Sequence, residues 1–434
     1  MKVINIKDIK SNIGLEVKIN GWIYNKRSSG RIVFLVLRDG TGFLQCVVEE
    51  DNVDVNTWNV VNCLSIESSV SLVGILVKHP KNEEIELKTK SILVIGSSKD
   101  YPITKKEHGP EFLFENRDLY LRSKTPWAIL RIRDQIFRSI TNFFYEEGFI
   151  RFDSPILQPT SCEDTTQLFE VKYYEEVMYL TQSGQLYLEA GIMSFGKAYD
   201  FGPVFRAEKS KTRNHLSEFW MMDAEMAFYD QEMNEDIQEK MVKRIIKDVL
   251  DNCELELNIL ERNTTILERC IKEQFIRIKH KEAKRICKEV LNIQNVVELD
   301  DMSTEEEIAL GNYFQIPVFI EDYPMAVKSF YMKKYVDMDG VERAKNADLI
   351  APEEGREIIG GSQREDDYEV LKAEIMKRNY PIEKYEWYLN IRKYGSVPHS
   401  GFGLGLERMV RWITGVHHIR ETIPFPRTTI INKP

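Results

Sequence analysis

Paired cysteines, long apolar runs and an excess of basic charge are all missing from this sequence, and each absence removes a class of protein. The six cysteines, Cys46, Cys63, Cys162, Cys253, Cys270 and Cys287, are scattered with no C-x-x-C pair. Scattered single cysteines read as reduced thiols in a cytoplasmic protein, not as a disulfide frame or zinc site. No stretch approaches the ~18 consecutive apolar residues that a membrane helix requires. The opening Met1-Lys2-Val3-Ile4-Asn5 leads into an alternating pattern without the apolar centre of a signal peptide, so no membrane association is expected. Acidic residues outnumber basic ones, 69 to 59, for a net charge of -10. A uniformly basic nucleic-acid surface is thereby excluded. Basic stretches exist locally, at Lys26-Arg27 with Arg31, at Lys105-Lys106 and from Lys209 to Arg213. Each alone reads first as a solvated face, and nucleic acid would bind only where such patches lie.

What is present is an ordinary globular composition, 43% hydrophobic and 29% charged. At roughly 100–200 residues per domain, the length suits two or three domains. Segments 16–24, 32–37, 42–49, 69–77 and 85–94 read as short strands bounded by turns such as Asp39-Gly40-Thr41-Gly42. Five strands in so short a stretch suit a small barrel of the OB type. The expected organisation is a barrel over 1–97, a polar linker over 98–122 containing Pro102 and Pro110, and a larger domain over 123–434.

In that larger domain Ile129, Ile132, Ile136, Ile140, Phe143 and Phe144 recur at helical spacing, and Gly148 ends the helix. Strands are expected at 149–152, 177–182, 200–206 and 218–229, with a helix near 185–196. Residues 231–293 read as strongly helical and charge-rich, either an insertion or a packing layer. Strands follow at 317–321, 327–332 and 357–364, then a helix at 366–378, a glycine-rich strand at 401–405 and a helix at 406–414. The order indicates an α+β fold with a mainly antiparallel sheet flanked by helices.

Three constellations carry chemistry. Phe205-Arg206-Ala207-Glu208, a basic stretch to His215, and Glu218-Phe219-Trp220 form a strand–loop–strand pattern. Arginine at a strand end suits phosphate binding, and an aromatic on the return strand suits purine stacking. Asp348 and Glu357 precede Gly360-Gly361-Ser362-Gln363-Arg364. Two acids near a strand suit a hard divalent cation that also holds a triphosphate. Gly401-Phe402-Gly403-Leu404-Gly405-Leu406-Glu407-Arg408 resembles a dinucleotide fingerprint only loosely, because no βαβ unit with a following acid frames it. The glycines fit better as a tightly packed strand that leads into a helix carrying Arg408.

Together these residues resemble the class II aminoacyl-tRNA synthetases of the aspartate, asparagine and lysine subgroup. Gly148-Phe149-Ile150 to Pro155 is similar to the first signature motif, Phe205 to Glu225 to the second and Gly401 to Arg408 to the third. The barrel is similar to the subgroup's anticodon-binding OB-fold. The resemblance implies a homodimer, ATP and Mg²⁺. It implies ATP contacts from Arg206, Glu208, Arg213, His215, Leu216, Phe219, Glu357 and Arg408, with Arg206 and Arg408 catalytic. Asp348 and Glu357 would hold the metal. Glu163, Ser183, Gln185, Asp223, Glu225, Gly361 and Arg364 would hold the amino acid, and Arg27, Phe34 and Gln45 the anticodon. Aspartyl members carry lysine where Leu188 stands in Gln182-Ser183-Gly184-Gln185-Leu186-Tyr187-Leu188. Loss of that cation favours a neutral amide, so L-asparagine and tRNA(Asn) are the expected partners. Met222-Asp223-Ala224-Glu225 departs from the asparaginyl pattern and keeps a non-discriminating aspartyl enzyme as the alternative.

Overall fold

The computed structural model describes residues 2–79, 84–104, 106–160, 162, 167–209 and 215–433. The chain divides into two compact units, Met1–Gly109 and Pro110–Pro434.

In the first unit five strands close a barrel: β1 (Glu16–Ser29), β2 (Ile32–Arg38), β3 (Phe43–Glu49), β4 (Ser69–Lys78) and β5 (Ile85–Gly96). β1 pairs with both β2 and β4, β3 pairs with β2 and β5, and β5 pairs with β4. Inward positions of each strand, among them Ile19, Val33, Leu35, Leu37, Cys46, Leu72 and Leu87, form one core. The expected strands are all present. Between β3 and β4 lies a helix the sequence reading passed over, α1 (Val55–Cys63), started by Asp54, whose carboxylate accepts from the Thr57 N–H at 2.9 Å.

The second unit is built on an eight-stranded sheet. In chain order its strands are β6 (Ile150–Arg151), β7 (Lys197–Phe205), β8 (Glu218–Ala227), β9 (Ile276–Lys279), β10 (Val318–Glu321), β11 (Asn346–Ala351), β12 (Arg356–Gln363) and β13 (His399–Gly405). Across the sheet they run β9-β10-β11-β12-β13-β8-β7-β6. Neighbours are antiparallel except at the two edges, where β9 is parallel to β10 and β6 to β7. The α+β expectation with a mainly antiparallel sheet therefore stands. Helices α2 (Lys124–Glu146) and α4 (Gln231–Asn252) cover the sheet, and α3 (Gln185–Phe195) lies between the short strand Glu176–Leu180 and β7. The apolar stripe read along α2 is buried against Tyr199, Phe201, Met222 and Phe402 from the sheet, and Met241, Ile245 and Val249 of α4 complete the same core. Residues 231–252 are thus a packing layer.

Three expectations need correction. Residues 231–293 are not helical throughout: Ile276-Arg277-Ile278-Lys279 is β9, an alternating tetrapeptide hidden between helices. Residues 327–332 are not a strand. Phe330 and Tyr331 are both buried, which a strand with one solvated face forbids, and Met332 pairs only through an isolated bridge to Arg364. The polar stretch to 122 is not all linker, because Pro110–Glu115 and Arg117–Tyr120 are short helices. The buried Arg117 guanidinium donates to the carbonyls of Pro424 at 2.8 Å and Ile423 at 3.0 Å, which packs these helices inside the second unit, against its C-terminal segment. All six cysteines are free thiols. No described helix is long and apolar enough to cross a membrane.

Candidate active site

Over β8, β12 and β13 lies a cavity of about 470 Å³. The hairpin β7–β8 builds one end of it. Phe205 pairs with Glu218, and the Arg206 N–H donates to the Ser217 carbonyl at 3.0 Å, so the Arg206 and Glu208 side chains emerge just past the strand end. His215 and Leu216 return toward β8, and Leu216 packs with Phe219, Ile419 and Ile423. Arg408 comes from the first turn of helix α5 (Leu406–Thr414), which follows β13 without a break. Arg206, Glu208, His215, Leu216, Phe219, Glu357 and Arg408 all line this cavity. The expected ATP contact Arg213 and the basic residue Lys211 lie outside the described residues, as does the expected amino-acid contact Glu163.

Two carboxylates, Asp348 on β11 and Glu357 on β12, stand in the same wall. Each has one oxygen against a cation: Lys328 Nζ donates to Asp348 Oδ2 at 2.6 Å, and Arg408 Nη1 donates to Glu357 Oε2 at 3.0 Å. Their other oxygens turn toward bare Gly360, where a methyl group would sit 3.1 Å from Glu357 Oε1 and 3.7 Å from Asp348 Oδ1. Burial pushes the Asp348 carboxyl up to about 6, with Lys328 opposing and Glu357 adding to the shift. Burial also works against the Glu357 charge, but Arg408 and Lys328 outweigh it and hold that carboxyl below its usual range. Two hard oxygen donors facing one gap fit Mg²⁺, which is commonly held by one or two carboxylates together with substrate phosphates. Among the described residues no set of three or more His, Cys, Asp or Glu forms a denser metal site.

The inner end is charged. Ser183, Gln185, Asp223, Gly361 and Arg364 line it. Asp223 Oδ2 accepts from Ser183 Oγ at 3.0 Å and from the Gly184 N–H at 2.8 Å, so this carboxylate anchors the turn into α3. Arg364 Nε donates to both oxygens of Glu225, at 3.1 and 3.2 Å, and Nη1 donates to Ser362 Oγ at 2.6 Å. Burial raises the Glu225 carboxyl, and the nearby Glu189 and Asp223 add to that shift against the opposing Arg364. Glu225 was expected to touch the amino acid; it lies behind Arg364 and outside the cavity wall, fully buried.

The glycines of β13 explain how these acids fit. Gly401 pairs with Glu225 and Gly403 with Asp223. A Cβ at Gly401 would meet Glu225 Oε1 at 2.1 Å, and one at Gly403 would meet Asp223 Oδ1 at 2.8 Å. The glycine run is therefore required by a neighbouring strand that carries two carboxylates, and no dinucleotide loop is involved.

Several cavity residues were given no role by the sequence. Lys328, Ser329 and Tyr331 reach the wall from a loop, and Lys328 is recognisable only through its ion pair. Glu407, next to Arg408, accepts from Arg133 Nη2 at 2.6 Å and from the Trp220 N–H at 3.0 Å, which locks α5 to α2 and β8. Leu188 does not line the cavity; it packs with Ile192, Ala198 and Ala227.

On the barrel, Arg27 pairs with Phe34, and Phe34 with Val47, two residues along β3 from Gln45. The three residues lie on one outward face, with the Arg27 guanidinium 4.9 Å from the Phe34 ring centre. Phe34 is half-buried and absent from the barrel core. Gln45 Nε2 donates to Glu86 at 3.3 Å. Of the basic patches, Arg31 is neutralised by Glu50 and Asp51.

Comparison with known proteins places this geometry. The family model for tRNA synthetases class II (D, K and N) matches residues 109–429, and that for the OB-fold nucleic acid binding domain matches 17–95. The crystal structure of asparaginyl-tRNA synthetase from Pyrococcus horikoshii complexed with asparaginyl-adenylate is similar at TM-score 0.93 and 35% identity, over 99% of each chain. Asparaginyl-tRNA synthetase from Entamoeba histolytica in complex with asparaginyl-adenylate is similar at TM-score 0.88 and 29% identity, over 100% of this chain and 99% of that one. Aspartyl tRNA synthetase from Entamoeba histolytica follows at 0.82 and 25%, over 100% and 93%. With an N-terminal OB-fold and an antiparallel sheet bearing three ordered motifs, this chain belongs to the class II aminoacyl-tRNA synthetases of the D, K and N group, which are ligases.

Proposed function

We propose that this enzyme activates L-asparagine with ATP and transfers it to tRNA(Asn). The observation that carries the choice is the engagement of Arg364. Among the described residues, the guanidinium at the inner end of the cavity already donates to Glu225, so Arg364 is not left waiting for a substrate carboxylate. A charged side chain buried there would lack a partner, whereas a neutral amide needs only hydrogen bonds. Arg364 can donate to the amide carbonyl, and Asp223 can accept from the amide NH₂. Leu188 contributes by supplying no charge from its core position.

In this reading adenine lies between Phe219 and Arg408 with its edge toward Glu208, and His215 and Arg213 serve the outer phosphates. The amino-acid carboxylate oxygen attacks the α-phosphorus, pyrophosphate leaves, and Arg206 neutralises charge on the α-phosphoryl oxygens. This is positioning and electrostatic stabilisation, without a covalent enzyme intermediate. Asp348 and Glu357 would hold Mg²⁺, which supplies charge neutralisation at the phosphates. Ser183, Gln185 and Gly361 shape the amino-acid side, with Glu163 at the α-amino group. A ribose hydroxyl of the tRNA terminus then displaces AMP, while Arg27, Phe34 and Gln45 read the anticodon by stacking and edge contacts. The enzyme would work in the cytoplasm as a homodimer. The short edge strand β6 and the exposed Tyr145, Ile150, Phe195 and Phe228 offer apolar surface for a second copy.

A non-discriminating aspartyl enzyme is the second reading, favoured by Asp223 in the cavity wall. ATP–pyrophosphate exchange separates the two: asparagine should support faster exchange, and faster exchange with aspartate would reverse the choice.

A further inference from the structure

Beneath the amino-acid end of the cavity is a buried polar cluster that none of the motifs accounts for. Glu189 sits one turn after Gln185 on α3, and neither of its carboxylate oxygens reaches solvent. Tyr388 Oη lies 2.8 Å from each oxygen. Arg392, one turn further along the helix Ile382–Lys393, donates to Oε2, and His399 Nε2 at the start of β13 is 3.1 Å from it. The remaining donor is Gln185 Nε2, at 3.2 Å from Oε1. The same cluster holds the chain at Arg364 and at the next residue: the Arg364 N–H donates to the His399 carbonyl at 2.9 Å, and Arg392 Nε donates to the Glu365 carbonyl at 3.0 Å.

We propose that Glu189, although it lines no part of the cavity, is a positioning residue that fixes which end of the Gln185 amide meets the substrate and so sets the preference for an α-ammonium group. An ionised carboxylate only accepts hydrogen bonds. Against the cost of burial, Arg392 and His399 hold the Glu189 carboxyl well below its usual range, so it stays ionised. Gln185 must therefore direct its NH₂ to Glu189 and present its carbonyl oxygen away from it, on the side where Gln185 lines the cavity. A carbonyl there, with the Asp223 carboxylate in the same wall, accepts from a cationic donor and repels an anion. If Glu189 were a neutral amide it could donate or accept, Gln185 could rotate, and its NH₂ would oppose the substrate ammonium.

The inference rests on reading this cavity as an amino-acid site, but not on which amino acid it takes, because asparagine and aspartate share the α-ammonium group. Two variants test it. Glu189→Gln changes the charge alone. Glu189→Gln/Arg392→Gln removes both buried charges together and keeps the test open if the single variant does not fold. Each is assayed by ATP–pyrophosphate exchange with asparagine and aspartate, and by inhibition with succinamate and succinate, which lack the amino group. In the variants the KM for the amino acid should rise by about 10–100-fold, the loss of one charge-assisted hydrogen bond. KM for ATP should be unchanged, and the margin by which each amino acid outcompetes its deaminated analogue should shrink by the same factor. An unchanged margin in a folded variant, or equal loss of affinity for ATP, would overturn the proposal. Preference of the wild type for aspartate would overturn only the choice of asparagine. Absence of exchange with any amino acid would overturn both.

Discussion

Arg206 and Phe34 divide the proposed reaction between them, and single substitutions should separate its two steps. Arg206 lines the cavity at the end of β7, while Phe34 faces outward on β2 of the barrel. Arg206→Ala should reduce ATP–pyrophosphate exchange by roughly 10²–10³-fold, the usual loss for a preorganised charge-stabilising donor, with tRNA affinity largely kept. Phe34→Ala should leave exchange near normal and weaken tRNA binding by about 1–3 kcal/mol, one base stack. Equal damage to exchange and charging by Phe34→Ala would break this division. The sequence alone conceals which side Phe34 takes. In Ile32-Val33-Phe34-Leu35-Val36-Leu37 every residue is apolar, so alternation cannot tell the outward Phe34 from the inward Leu35, and only the resemblance set its register. Arg364 and Glu225 pose the opposite problem. Both were legible as site residues, but their ion pair spans 139 positions and exists only once β8 and β12 lie on either side of β13. That pairing sets Glu225 against Arg364, outside the cavity wall.

At the scale of elements, β8 and β13 are matched by subtraction: two acids on one strand face two glycines on the next. Gly401→Ala should displace Glu225 and loosen Arg364, because the new Cβ would fall 2.1 Å from a carboxylate oxygen, far inside van der Waals contact, between paired strands. Overpacking of this kind costs about 1–3 kcal/mol, so thermal unfolding should shift downward and KM for the amino acid should rise more than KM for ATP. A normal melting temperature with normal kinetics would show that β13 has more room than its register allows. A second element-scale prediction concerns α4, where Glu235 is buried near Glu321 and 3.2 Å from Arg277. Burial, with Glu321 adding, pushes its carboxyl up to about 8. Because the folded value exceeds the unfolded one, the folded state binds more protons between these values and stability falls as pH rises through them. Glu235→Gln should therefore stabilise the protein by about 1–3 kcal/mol at pH 8, with the advantage vanishing as pH falls toward about 4.5. Denaturant titrations at both pH values check the sign, and an advantage that grows at low pH would contradict it. Elements with one-sided patterns were legible in the sequence, as β1 of the barrel and α2 show. Two strands of the large sheet, β11 and β9, were not. Asn346–Ala351 is buried at every position and lacks the β-branched run that marks such strands, and four-residue β9 sits among helices that mask its alternation.

On the scale of the whole molecule, the chain's division predicts where it can be cut. Residues 110–434 contain the cavity, its three strands and both carboxylates, so this portion alone should fold cooperatively and catalyse amino-acid-dependent exchange with unchanged KM values, while losing efficient tRNA charging. The choice of start matters for a physical reason. Arg117, buried in the helix Arg117–Tyr120, donates to the carbonyls of Ile423 and Pro424. The segment just beyond, at Arg427, accepts at its carbonyl from the Ser217 N–H at 2.8 Å, at the base of the hairpin that carries Arg206. A portion starting at residue 123, after the polar stretch that composition alone suggests as linker, would leave those carbonyls without Arg117. Each buried polar group so abandoned costs about 1–3 kcal/mol. Fragment 123–434 should accordingly unfold at lower denaturant concentration than 110–434 and lose exchange activity, because the hairpin base loosens with the C-terminal segment. Equal stability and equal exchange in the two fragments would mean that Arg117 holds nothing the active site needs.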